Sequence, residues 1–190
     1  MPRTRFVPIA PGRAAVTVAR LDAIEIAFHW RWLPVLLLGT ALLGHAILPL
    51  RFPAWAPGAI WLTSAAAVLL GEAALLLHEL SHALAARRRG QGVQRIVFHG
   101  FVAETILGPE PASPDQEALI ALVGPATNVA IACLVALVRA CAAVGGPLDV
   151  LLLLGVLGNL GMAAMSLVPL GSSDGRRAWR ALRTTKRARP

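Results

Sequence analysis

Apolar residues along this chain gather into four long blocks, and polar residues are confined to the short pieces between them. The blocks at 33–50, 59–87, 116–143 and 148–168 each predict a helix long enough to cross the roughly 30 Å of a bilayer's hydrocarbon core. Helix breakers separate them: Pro49, Pro53 and Pro57, then Arg87-Arg88-Arg89-Gly90, then Gly145-Gly146-Pro147, then Pro169 with Gly171. Two shorter stretches read differently. Residues 24–30 mix alternation with β-branched side chains, which fits a short strand or an interfacial lead-in. Residues 93–107 read as two short strands around His99-Gly100, closed by Gly108-Pro109-Glu110-Pro111. Residues 1–22, with three prolines and four arginines, are expected to be irregular. The first apolar block starts only after some thirty residues and lacks a small-residue cleavage site, so it is expected to be a retained helix. The expected class is an all-α polytopic membrane protein with about four transmembrane helices. A small cytoplasmic-side β-hairpin is expected between helices two and three.

Composition supports that class. The chain is 56% hydrophobic and 15% charged, which does not suit a soluble globule. Its net charge of +8 does not point to nucleic acid, because the basic residues collect at the ends of the apolar blocks. With both termini in the cytoplasm, every lysine and arginine except Arg51 and Arg139 falls on the cytoplasmic side, as the positive-inside rule requires. The expected location is a bacterial cytoplasmic membrane. Three segments follow: a cytoplasmic stretch at 1–23, a membrane core at 24–177 and a basic cytoplasmic tail at 178–190. The tail carries Trp179 among arginines and is expected to lie on anionic lipid, with no nucleic-acid partner. Cys133 and Cys141 sit eight residues apart on one helix, about 12 Å along its axis, too far to bond to each other.

The candidate chemistry lies near the end of the second block, at His78-Glu79-Leu80-Ser81-His82. Two histidines at i and i+4 share a helix face, so both can reach one zinc ion, and Glu79 between them is placed to take a proton from water. Such polar residues are costly in lipid and rarely persist there without a function. One Zn2+ per chain is expected, and an open catalytic site needs a third protein ligand. Asp174 lies at the right depth for it, but before Gly175-Arg176-Arg177 it also suits the cap of a following helix. Spacing alone leaves both readings open. Glu72, two turns before Glu79, is read as a protonated glutamate bonded to a neighbouring helix, with lining of a water cavity or contact with substrate as the alternative. His45 and His29 are read as packing residues, and His99 as a residue of the hairpin.

Three separated motifs together resemble the site-2 protease family of intramembrane zinc metalloproteases. They are His78-Glu79-Leu80-Ser81-His82, Gly124-Pro125-Ala126-Thr127-Asn128, and Ser166-Leu167-Val168-Pro169 leading to Asp174-Gly175. The resemblance covers roughly residues 24–177 and is to a minimal member, without a PDZ-like or CBS-type regulatory domain. It implies that His78, His82 and Asp174 are the zinc ligands and that Glu79 is the general base. Asn128, Asn159 and Ser166 would position the substrate or the oxyanion. Ser166 stands where the family usually has asparagine, and Gly171-Ser172-Ser173 departs from the family's pattern. The implied function is zinc-dependent endopeptidase cleavage in or near transmembrane segments. The implied substrate is a single-pass membrane protein, such as an anti-sigma factor or a membrane-tethered regulator. The alternatives are an inactive homologue that binds membrane partners, and a zinc transporter or sensor. The 93–105 segment is either an edge strand that pairs with the extended substrate or a plain hairpin.

Overall fold

A computed structural model describes residues 15–21, 24–108 and 113–188. Four helical stretches are long and apolar enough to cross a membrane: Trp32–Arg51, Pro57–Arg87, Pro114–Ala142 and Gly146–Leu167. The first is composite. Helix α1 (Trp32–Ala41) runs through a π-helical segment, Leu42–Ile47, into α2 (Leu48–Arg51). Then come α3 (Pro57–Arg87), α4 (Pro114–Ala142), α5 (Gly146–Leu167) and α6 (Asp174–Ala188). Prolines stand in the first turns of α3, α4 and α5, where a missing N–H costs no helical bond. Ser113 caps α4 in a reciprocal capping box with Gln116. Arg139 near the end of α4 pairs with Asp149 at the start of α5, through bonds of 2.7 and 3.0 Å. That pairing gives a partner to one of the two basic residues outside the set expected on the cytoplasmic side.

The chain is not all-α. Strands β1 (Ala15–Leu21), β2 (Ile24–His29), β3 (Val93–Phe98) and β4 (Ala103–Leu107) form one sheet in the order β1-β2-β3-β4. The expected hairpin at 93–107 is half of it. Residues 15–21, expected to be irregular, form a strand because their backbone pairs with β2 and Arg20 meets Glu25 at 2.8 Å. Glu25 also takes two bonds from Arg95, 2.7 and 3.1 Å long, across the parallel β2–β3 pairing. These hydrogen bonds, Arg95's first, outweigh partial desolvation and hold the Glu25 carboxyl below its ordinary value.

The sheet is positioned by apolar packing. Ile24, Ile26, Ile96 and Phe98 bury themselves with Leu75 and Ala83 of α3. The rings of Phe28 and Phe98 stack at 5.0 Å, and Trp32 meets Phe28 edge-on at 4.4 Å. The sheet therefore lies against the second half of α3, where the His-Glu-His segment is. At the hairpin tip the Phe101 ring occupies the space that a side chain at Gly39 of α1 would need.

Candidate metal centre

His78 and His82 lie one turn apart on α3, and both are buried. Their Nε2 atoms are 3.1 Å apart. Asp174, the first residue of α6, places Oδ2 3.2 Å from His78 Nε2 and 3.3 Å from His82 Nε2. Among the described residues this is the group of three or more potential metal-ligating side chains.

Asp174 reaches the histidines because Ser173 performs the capping that Asp174 was also suited for. The Ser173 hydroxyl accepts from Arg176 N at 3.2 Å and donates to the Val168 carbonyl at 2.6 Å. Gly175 completes the approach, since a Cβ there would lie 1.9 Å from the Leu167 carbonyl oxygen at the end of α5.

The remaining ring nitrogens are committed elsewhere. His82 Nδ1 donates to the Ile120 carbonyl of α4 at 2.6 Å. His78 Nδ1 is bonded to Asn128 Oδ1. The amide of Asn128 donates to Asn159 Oδ1 at 2.9 Å, and the amide of Asn159 donates to the Gly155 carbonyl at 2.8 Å. With both Nδ1 atoms donating, each Nε2 turns a lone pair toward the other and toward an anionic carboxylate. Three electron-pair donors converging in a buried place call for a cation. Their spacing suits zinc, because a tetrahedral site with bonds of about 2.0–2.1 Å has edges of about 3.3 Å.

Gly124 and Pro125 on α4 make this approach possible. A Cβ at Gly124 would lie 2.3 Å from His82 Nε2 and 2.6 Å from His78 Nε2. Pro125 lacks the N–H that would bond the Ala121 carbonyl one turn earlier.

Asn128, Asn159 and Ser166, which the family resemblance singled out, each have defined hydrogen-bond partners. Asn128 is fully buried and bonded to His78 and Asn159. Asn159 is likewise buried and supports Asn128. The Ser166 hydroxyl bonds to Ala163 O of its own helix at 3.1 Å, since its short side chain reaches its own backbone first. The expected helix-to-helix bond of Glu72 is made by Trp32 Nε1 at 2.8 Å. His45 packs edge-on against Trp61, and His99 lies against His29 at 5.1 Å, outside the trio.

Glu79 has a partner that the sequence did not reveal, Thr105. Thr105 Oγ1 on β4 lies 2.6 Å from Glu79 Oε2. A polar residue between Glu104 and Ile106 of a short strand was the available signal, and it was too weak to assign a role.

No family model matches the chain. Rip3 of Mycobacterium tuberculosis, named as a candidate zinc metalloprotease, is 34% identical over 119 residues, 63% of this chain and 30% of that protein. A Synechocystis protein named in the same way, sll0528, is 29% identical over 162 residues, 84% of this chain and 42% of that protein. The structure of the site-2 protease from Methanocaldococcus jannaschii matches with a TM-score of 0.61 at 20% identity, over 90% of this chain and 73% of that one. The chain shares the fold of that site-2 protease, and its sequence relatives carry zinc metalloprotease names. It spans less than half the length of those two curated relatives.

Proposed function

We propose that the chain is a zinc-dependent intramembrane endopeptidase that hydrolyses peptide bonds in or near transmembrane segments of membrane-anchored proteins. The observation that carries this reading is the convergence of His78 Nε2, His82 Nε2 and Asp174 Oδ2 within 3.1–3.3 Å. In this reading these three hold the zinc, which supplies a polarised water and Lewis-acid stabilisation of developing negative charge. Glu79, beside His78 on the same helix, takes the proton of the attacking water and passes it to the leaving amine. Asn128 and Asn159 fix the tautomer and the ring orientation of His78. Burial of Glu79 and both histidines keeps bulk water from competing for their hydrogen bonds.

The arginine distribution supports an orientation with both termini and this site toward the cytoplasm. The preferred substrate class is a single-pass membrane protein, with membrane-tethered regulators such as anti-sigma factors as the leading candidates. Exposed Trp179 and Leu182 on α6, flanked by Arg176, Arg180 and Arg183, support contact with anionic lipid. The inactive-homologue reading gives no role to a buried, hydrogen-bonded Glu79.

The substrate must be extended before it is cut, and β4 offers an edge. The His99 N–H bonds the Val102 carbonyl at the turn, so alternation makes Val97–Glu104 a bonded pair and turns the backbone groups of Ala103 and Thr105 outward. A substrate strand added there would meet those groups. Ala103→Pro removes one outward N–H without touching the β3–β4 ladder. It is expected to raise KM severalfold at unchanged zinc content, and an unchanged KM counts against strand addition. A proline at Ile96 would not test the idea, because Ile96 is fully buried in an interior strand.

Asn128→Ala is expected to weaken zinc binding by about 10–100-fold, the usual cost of losing such an outer partner. Competition with a chelator measures it. Zinc affinity equal to wild type would remove Asn128 from the ligand-orienting role.

The experiment that tests the function is cleavage of a model single-pass substrate by the purified chain in detergent, with Glu79→Gln and Asp174→Asn beside it. The reading predicts loss of cleavage in both and loss of zinc in the second alone. Undiminished cleavage by either variant would overturn it.

A further inference from the structure

Glu79 lies in a helix, but its carboxylate is held from the sheet. Thr105 Oγ1 lies 2.6 Å from Glu79 Oε2 and 3.2 Å from the Glu79 carbonyl oxygen. A hydroxyl carries one proton, and the nearer, charged oxygen takes it. We propose that Thr105 is a positioning residue for Glu79: its hydroxyl locks the carboxylate in one rotamer and leaves the other oxygen free for proton exchange. The proposal rests on the reading of Glu79 as the general base.

Three observations carry it. Glu79 is 6% exposed, so solvent offers little competition for this bond. Glutamate has three rotatable side-chain bonds and loses positional precision without such an anchor. Thr105 itself is fixed, since β4 is hydrogen-bonded to β3 with Thr105 opposite Ile96, which is fully buried. The placement also has a consequence for substrate. The backbone of Thr105 faces the open edge of β4 while its side chain reaches Glu79. A strand that pairs with β4 therefore bears on the residue that aims the base, and binding at the edge stabilises the reactive alignment.

The test uses the full chain with Thr105→Val, which keeps the β-branch and removes the hydroxyl, and Thr105→Ser, which keeps the hydroxyl. Against the model single-pass substrate, Thr105→Val is expected to lower kcat at least tenfold with KM within twofold of wild type and zinc content unchanged. Thr105→Ser is expected to recover most of kcat. A second readout is independent of turnover. The Glu79 carboxylate band, isolated by infrared difference between each protein and its Glu79→Gln partner, should shift in Thr105→Val and return in Thr105→Ser. A kcat within twofold of wild type for Thr105→Val, a change confined to KM, an unshifted band, or a Ser variant as impaired as the Val variant would each overturn the proposal. Full activity in Glu79→Gln would instead refute the base assignment, whereas an inactive Glu79→Gln beside a fully active Thr105→Val refutes the positioning role alone.

Discussion

Glu79→Gln is expected to fold and bind zinc as the wild type does while cleaving a single-pass substrate about 10²–10⁴-fold more slowly, the contribution of a well-placed general base. Glutamine matches glutamate in shape and keeps an oxygen that can accept the Thr105 hydroxyl now 2.6 Å away. The ligand trio is His78, His82 and Asp174, so the substitution removes no metal donor. What it removes is the capacity to take a proton. Parallel measurement of zinc content and single-turnover cleavage separates the two properties. Wild-type cleavage by this variant would exclude Glu79 as the base. Lost zinc would show that Glu79 serves the metal site itself.

Gly124→Ala is expected to cost at least about 100-fold in zinc affinity, although alanine favours a helix over glycine by about 1 kcal/mol. The reason is room. The added Cβ would stand 2.3 Å from His82 Nε2 and 2.6 Å from His78 Nε2, closer than nonbonded atoms tolerate. Neither ring is free to retreat. His82 is tied through Nδ1 to Ile120 on the same helix as Gly124, and His78 to Asn128. Relief requires parting α3 from α4 or breaking those bonds, and either disperses the donor set. Far-ultraviolet circular dichroism should show an intact helical fold while chelator competition shows the loss. Wild-type affinity in Gly124→Ala would mean that the packing of α4 against the histidines does not govern the site.

The sequence exposes what is local and periodic. His78 and His82 at i and i+4, the long apolar blocks and the proline and glycine breaks each follow from a few neighbouring residues, and the structure places helices at all four blocks. The family resemblance added Asp174, which lies 96 residues from His78 and which spacing alone left between ligand and cap. The cap role went to Ser173, in the very stretch that departs from the family's pattern. The sheet was less legible. β2 and β3 pair in parallel, Glu25 beside Arg95, across two membrane-crossing helices, and no local pattern encodes such a partner. β1 is largely exposed, so its residues lack the alternating burial that marks a strand. The contact of Thr105 with Glu79 depends on how β4 docks against α3, and Asn128 turns to His78 only once α4 has packed there. Both are products of tertiary assembly, which explains why the motif identified Asn128 but not the direction in which it faces.

The central claim is that His78, His82 and Asp174 hold one zinc ion. X-ray absorption at the zinc edge of the purified full chain tests it most directly. The account predicts two imidazole nitrogens with light oxygen donors at about 2.0–2.1 Å, and loss of the signal in Asp174→Asn. A folded protein without zinc, or sulfur donors at about 2.3 Å, would contradict it.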